Sequence, residues 1–172
     1  MAALKKYACG PTALFSIGLT MPNSAGNGPL ISSPTSWDDY NSLWSYTATT
    51  VYRTVDGISY GSTQNNRLGP GFVNYCKLVK GKSISSTYNS SPSYAAFVSH
   101  INQGKFSLIH MGINNGSEIG HVMAVYGHSQ LLRNGQSGPL LNCLEVFTGW
   151  SEAAFLNFDP TKYTYVNATF FS

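Results

Sequence analysis

Phe106-Ser107-Leu108-Ile109-His110-Met111-Gly112-Ile113 and, beyond the turn signal Asn114-Asn115-Gly116, Gly120-His121-Val122-Met123-Ala124-Val125-Tyr126-Gly127-His128 are the runs on which the fold turns. Both are short and rich in β-branched or aromatic residues, which suits a pleated, buried strand. Three more runs follow: Leu140 to Thr148, Ala154 to Phe158 and Tyr163 to Phe171, with Asn134-Gly135 and Asp159-Pro160 as breaks. Such closely spaced strands joined by turn residues predict an antiparallel sheet in the second half of the chain.

Upstream the period changes. Cys9 to about Thr20 carries Leu14, Ile17 and Met21 at helical spacing, with Pro11 in the first turn, where a missing N–H costs nothing, and a stop before Pro22. Asn23 to Thr35 has loop chemistry, and Ser36 then caps a second helix through Trp37, Tyr40, Leu43 and Trp44. A third helix is expected from Pro70 to Val79 and a fourth from Ser91 or Pro92 to Gly104, while residues 48–63 read equally well either way. Helices first and strands afterwards predict an α+β domain whose N-terminal helical layer packs face to face on a C-terminal antiparallel sheet. No repeat and no boundary divides residues 1–172, so a single domain is expected.

Charged residues make up 10% of the 172, against about a quarter in ordinary domains, which excludes a coiled coil and a charge-rich disordered chain. The net charge of +3 is scattered, with no run longer than Lys5-Lys6, so no nucleic-acid stripe is visible. No apolar stretch approaches the roughly 18–20 residues of a membrane helix, and Met1 to Ala8 has no signal-peptide shape. The chain reads as soluble, or as the soluble piece of a longer one. Its polar, uncharged, Tyr-rich surface leans towards an extracellular or cell-surface setting. Cys9, Cys76 and Cys143 are odd in number and form no C-x-x-C pair, which argues against a disulfide scaffold or a zinc ribbon.

Chemistry is expected where Ala8-Cys9-Gly10-Pro11-Thr12-Ala13-Leu14 opens the first helix. A thiol there faces unpaired backbone N–H groups and the positive end of the helix dipole, which lower its pKa, and Gly10 would let substrate backbone approach. A buried spectator Cys is the commoner case for position alone. A thiolate nucleophile needs a base, and His121, directly after a turn and at the start of a strand, is the best placed of the four histidines. His110 reads as half-buried structure, and His100 and His128 lack chemical context.

Taken together and in this order, the Cys9 segment and Gly120-His121-Val122-Met123-Ala124-Val125-Tyr126-Gly127 resemble the bacterial papain-like cysteine peptidases. The nearest likeness is to the subgroup related to the peptidases that remove double-glycine leaders from bacteriocins. The resemblance runs from Cys9 to about Phe158. It implies a papain-like fold, Cys9 as nucleophile and His121 as general base and acid, with no metal or organic cofactor. It also implies a third residue, an Asn or Asp two before a Trp, that holds the imidazole through Nδ1–H. The corresponding residue here is Thr148, before Trp150, which can accept a hydrogen bond but carries no charge. Trp150 would then wall the cleft. Glu145 lies on the opposite face of its strand, and Asn142 shares the face of Thr148 at the far end. The family's oxyanion-hole Gln falls at Ala3, which removes a donor worth about a hundred- to a thousand-fold in rate unless Gln64 or Asn65 replaces it.

The implied reaction is peptide-bond hydrolysis on a peptide or protein substrate by a monomer, with no nucleic-acid or membrane partner. A cell-wall amidase or endopeptidase of the same superfamily is the first rival, although such enzymes read Asp-Cys-Ser or Asn-Cys-Thr at the nucleophile. The second is a papain-like binding module that has lost catalysis, for which Thr148 and Ala3 both speak. A transporter-borne leader peptidase would need membrane and nucleotide-binding regions that this sequence does not contain.

Overall fold

The computed structural model describes residues 6–114, 118–132, 141–149 and 153–172. Among these residues, four α-helices, α1 (Cys9–Thr20), α2 (Trp37–Tyr46), α3 (Asn65–Lys80) and α4 (Tyr94–Asn102), accompany nine strands. β1 (Lys6–Tyr7), β2 (Thr50–Val55) and β3 (Ile58–Ser62) form a small sheet in the order β1-β3-β2. β4 (Ser86–Asn89), β5 (Ser107–Asn114), β6 (Glu118–Leu131), β7 (Leu141–Phe147), β8 (Ala154–Asn157) and β9 (Tyr165–Phe171) form a larger one in the order β4-β9-β5-β6-β7-β8. Every pairing in the larger sheet is antiparallel. The class is α+β, as the order of periodicities predicts.

The layering differs from the two-layer expectation. Leu108, Val122, Ala124 and Phe171 pack with α1, α2 and α3 on one face of the sheet, and α3 meets β4 and β9 there. Ile109, Met111, Met123, Val125, Leu144, Val146, Val166 and Ala168 face the other way, where Phe97 of α4 covers them. The helical elements therefore sandwich the sheet. The cause lies in the central strands, where adjacent residues such as Leu108/Ile109 and Val122/Met123 are both apolar, so both pleat faces need cover.

α1 is the central helix, with Gly10, Pro11, Ala13, Leu14, Phe15, Ile17 and Gly18 all buried. α3 begins at Asn65, earlier than the Pro70 start, and runs through that proline, which occupies an exposed position. Residues 48–63 contain the β2–β3 hairpin, closed by Asp56 and Gly57 at φ 50° and 75°, the left-handed pair that a tight hairpin turn requires.

Asp39 ties α2 to α3. Its carboxylate accepts from Tyr75 Oη and Ser36 Oγ, each at 2.7 Å, and pairs with Lys80 Nζ at 2.7 Å. Burial opposes its charge, but Lys80, Ser36 and Tyr75 together hold its pKa below the ordinary carboxylate value. All three cysteines are unbonded, Cys76 and Cys143 buried and Cys9 partly so. Among the described residues no helix is long and apolar enough to cross a membrane, and no group of three metal-binding side chains assembles.

Candidate active site

Cys9 is the first residue of α1, reached directly from β1 through Ala8. No side chain caps this helix; Ala8 is extended, and its carbonyl accepts the first helical bond from Thr12 N at 3.0 Å. The Ala8 N–H donates to Tyr40 Oη at 3.1 Å, and the same hydroxyl lies 3.3 Å from Thr12 Oγ1. Tyr40, one residue after the Asp39 anchor, thus fixes the turn that presents the thiol. The N–H groups of Cys9 and Gly10, left without intrahelical acceptors at a helix start, reach the Cys9 thiol, as does the Val122 N–H from β6.

That last contact brings the two expected residues into one place, since Val122 follows His121. β6 opposes β5 with His121 across from Met111 and Val122 across from His110. His121 Nε2 lies 2.9 Å from the main-chain oxygen of Thr148, just past the end of β7. A carbonyl only accepts, so Nε2 carries the proton and Nδ1 of the neutral ring is the basic nitrogen. The β7 end also sits over α1, because a Cβ on Gly149 would fall 3.4 Å from Thr12 Cγ2. The start of α1, the early part of β6 and the end of β7 therefore converge, with Cys9, His121 and Thr148 contributed one from each. His121 is the fourth residue of β6, which begins at Glu118 and not at the histidine segment as the sequence reading has it.

Three details depart from the sequence reading. Thr148 orients the imidazole with its carbonyl, not its hydroxyl, and through Nε2 instead of Nδ1. A main-chain acceptor makes no demand on the side chain, which accounts for a residue other than Asn or Asp there. Gly10 is buried, and a Cβ there would meet Leu68 Cδ2 at 2.6 Å, so its lack of a side chain serves the packing of α1 on α3. Third, the net shift of the Cys9 pKa is upward, against the expected lowering at a helix start. Burial pushes the thiol above its ordinary value, and the N–H groups of Val122, Gly10 and Cys9 recover only part of the penalty. Burial likewise pushes the His121 imidazole down, against the pull of the Thr148 carbonyl. Both shifts act in favour of the neutral forms of the two groups.

Of the two proposed replacements for the oxyanion donor, Asn65 Nδ2 donates to Asn167 Oδ1 at 3.4 Å, whereas Gln64 accepts from Arg67 Nε through Oε1 at 3.3 Å, a bond that does not use its donor amide. Glu145 accepts from Ser129 Oγ at 2.8 Å, and Asn142 Oδ1 accepts from Gln130 Nε2 at 3.0 Å. Trp150 and Ala3 lie outside the described residues.

The other histidines have structural partners. His100 Nε2 is 2.8 Å from the Phe171 carbonyl and His128 Nε2 is 3.0 Å from Asn102 Oδ1. His110 is fully buried, beyond the half-burial expected of it, with Nε2 3.2 Å from Thr169 Oγ1. The residue that sequence reasoning misses is Tyr40, which its spacing marks only as an apolar position of α2. Nothing in its spacing signals that its hydroxyl reaches Ala8. No protein-family model matches this chain, and no curated protein matches it either.

Proposed function

We propose that the chain is a cysteine peptidase of papain-like fold that hydrolyses peptide bonds through an acyl-enzyme, with Cys9 as nucleophile and His121 as general base and acid. The observation that supports this reading is the hydrogen bond from His121 Nε2 to the Thr148 carbonyl, which leaves Nδ1 as the basic nitrogen of a residue next to Val122, whose N–H reaches the Cys9 thiol. In the first half-reaction the thiol proton passes to Nδ1 as Sγ bonds to the substrate carbonyl carbon. The Cys9 N–H, at the open end of α1, is placed to bond the oxyanion. Nδ1 then returns the proton to the leaving amine as the C–N bond breaks. Water, deprotonated by the same nitrogen, attacks the thioester and releases the acid and the thiol. No step calls for a cofactor. The polar, lightly charged surface supports an extracellular or cell-surface setting.

A specific observation also favours the second reading, a papain-like binding module without catalysis: burial raises the Cys9 pKa, which a nucleophile does not need. One experiment separates the two. Peptides capped with a vinyl sulfone are incubated with a Cys76→Ser/Cys143→Ser background and the adduct is located by mass spectrometry. A peptidase forms one adduct at Cys9, lost in Cys9→Ala and slowed by about a hundredfold or more in His121→Ala. Labelling that is no faster than that of the urea-unfolded chain, or that ignores His121, selects the binding module.

A further inference from the structure

The β2–β3 hairpin carries side chains that neither the core nor the Cys9 site uses. All six residues of β2 are exposed, and among the described residues β3 is its only strand neighbour, so one edge of the strand offers its main chain to solvent. A long open edge without proline is normally blunted or paired. Here it is bulged between Val51 and Arg53. Strict alternation would put Tyr52 and Arg53 on opposite faces, but the guanidinium carbon of Arg53 stands 5.5 Å from the Tyr52 ring centre and 4.7 Å from that of Tyr60. Tyr60 in turn lies 6.3 Å from Tyr7, with which it is in register on β1. Tyr52 is 61% and Tyr7 49% exposed, so this ladder is a surface feature.

Charge decides what the ladder takes. Among the described residues no carboxylate comes within 4 Å of the Arg53 guanidinium, although Asp56 sits in the same hairpin. Rings against a guanidinium hold its plane while leaving its in-plane N–H fork for a bidentate partner, and the group that matches the fork is a carboxylate. We propose that β2 and its Tyr52–Arg53–Tyr60 clamp dock an extended, acidic polypeptide segment, which adds to the open edge as a strand and places a carboxylate on Arg53. Strand addition supplies main-chain affinity, and the clamp selects an acidic residue. Docking stands on the hairpin alone. That the docked segment belongs to a substrate rests on the peptidase reading, because Tyr7 lies two residues before Cys9 and ties the ladder to β1, which leads into the helix that Cys9 opens.

The test uses Cys9→Ala protein, so binding is read whether or not the chain cleaves peptides. The probe is a fluorescein-labelled, end-blocked peptide of about ten alternating Glu and Thr residues, a typical strand length, followed by anisotropy. Binding is expected with Kd on the order of 100 µM, and about tenfold weaker for Arg53→Gln and for a probe with Lys in place of Glu. N-methylation of alternate probe amides, which leaves charge intact, is expected to weaken binding about tenfold as well. Absence of binding at about 1 mM probe overturns the proposal. So does equal binding of the N-methylated probe, or tighter binding of polygalacturonate, a carboxylated glycan, at the same residues. A dimer in light scattering that Thr54→Pro dissociates would also overturn it, since the occupant would then be a second copy.

Discussion

Lowering the pH from 7.5 to 4 should cost this protein about 3 kcal/mol of stability through His110 alone. The imidazole is fully buried in β5, its Nδ1 has no hydrogen-bond partner, and burial pushes its pKa down from 6.5 to about 4. Between those values the unfolded chain binds a proton that the folded chain refuses, so stability falls as pH falls and the loss is largely developed by about pH 4. Each pH unit of separation is worth roughly 1.4 kcal/mol, which over this interval gives about 3 kcal/mol. Urea unfolding followed by tryptophan fluorescence at several pH values, for the parent and for His110→Leu, isolates the contribution. The other groups cancel between the two proteins, including His100 and His121, whose pKa values burial also lowers. At pH 7.5 the variant loses only the Thr169 contact and an unsatisfied nitrogen, so the two proteins should agree within about 1 kcal/mol. At pH 4 the parent should have lost about 3 kcal/mol more than the variant. Parallel stability curves within about 0.5 kcal/mol would refute the argument that His110 is buried neutral.

Thr148→Val should leave turnover of any cleaved peptide within about threefold, since the carbonyl and not the hydroxyl meets His121, whereas His121→Ala should cost about a hundredfold or more. Alkylation of Cys9 by iodoacetamide should rise with pH along a curve whose midpoint lies above that of an ordinary thiol; a plateau extending below pH 8 would show a resting ion pair. Tyr75→Phe removes a donor to the Asp39 carboxylate and should lower stability by about 1.5–3 kcal/mol in urea titrations at pH 7. Gly61→Ala should cost about 1–3 kcal/mol, because its Cβ would collide with the Trp44 ring beneath β3.

The elements that sequence alone gave best are those whose own residues decide them. α1 spans Cys9–Thr20 as its periodicity and Pro11 require, and the five expected strands of the second half are all present within a few residues of their ends. What sequence did not give depends on partners. Double-sided apolar strands could have announced the second helical layer, since Leu108/Ile109 and Val122/Met123 leave no polar face, and Asp56-Gly57 is a hairpin signal that the polar flanks of β2 and β3 obscured. At the site, the placement of Cys9 at a helix start was legible because a helix start is a local feature, whereas His121 lies on the expected strand but as its fourth residue, since β6 reaches back to Glu118. The role of the Thr148 carbonyl was not legible, because a main-chain acceptor leaves no mark on residue type. Neither was the Tyr40 hydroxyl, whose partner lies 32 residues upstream.

The raised thiol and lowered imidazole bear on how such a site could work at all. For groups at ordinary values of 9.0 and 6.5, moving the proton from thiol to imidazole is uphill by about 3 kcal/mol, and burial of both widens the gap. Against this stands the attraction of the two charges formed, about 4 kcal/mol for a pair some 4 Å apart at an effective dielectric constant of 20. For such a pair the two terms are of similar size, and burial adds to the side of the neutral forms. The N–H groups of Val122, Gly10 and Cys9 act in the opposite direction and are already in place. When Sγ bonds to a carbonyl carbon, the negative charge moves to the oxyanion. The Cys9 N–H can then bond that oxygen, while the imidazolium keeps its bond to Thr148. On the proposed peptidase reading, proton transfer would be coupled to attack and not completed before it, and stabilisation by these donors would be realised as the transition state forms. A thiol of this kind is quiet towards small alkylating agents at neutral pH yet responsive to a carbonyl held against the helix start. Reactivity with a peptide-borne electrophile, set against reactivity with iodoacetamide, is therefore the comparison that distinguishes a working nucleophile from a buried cysteine.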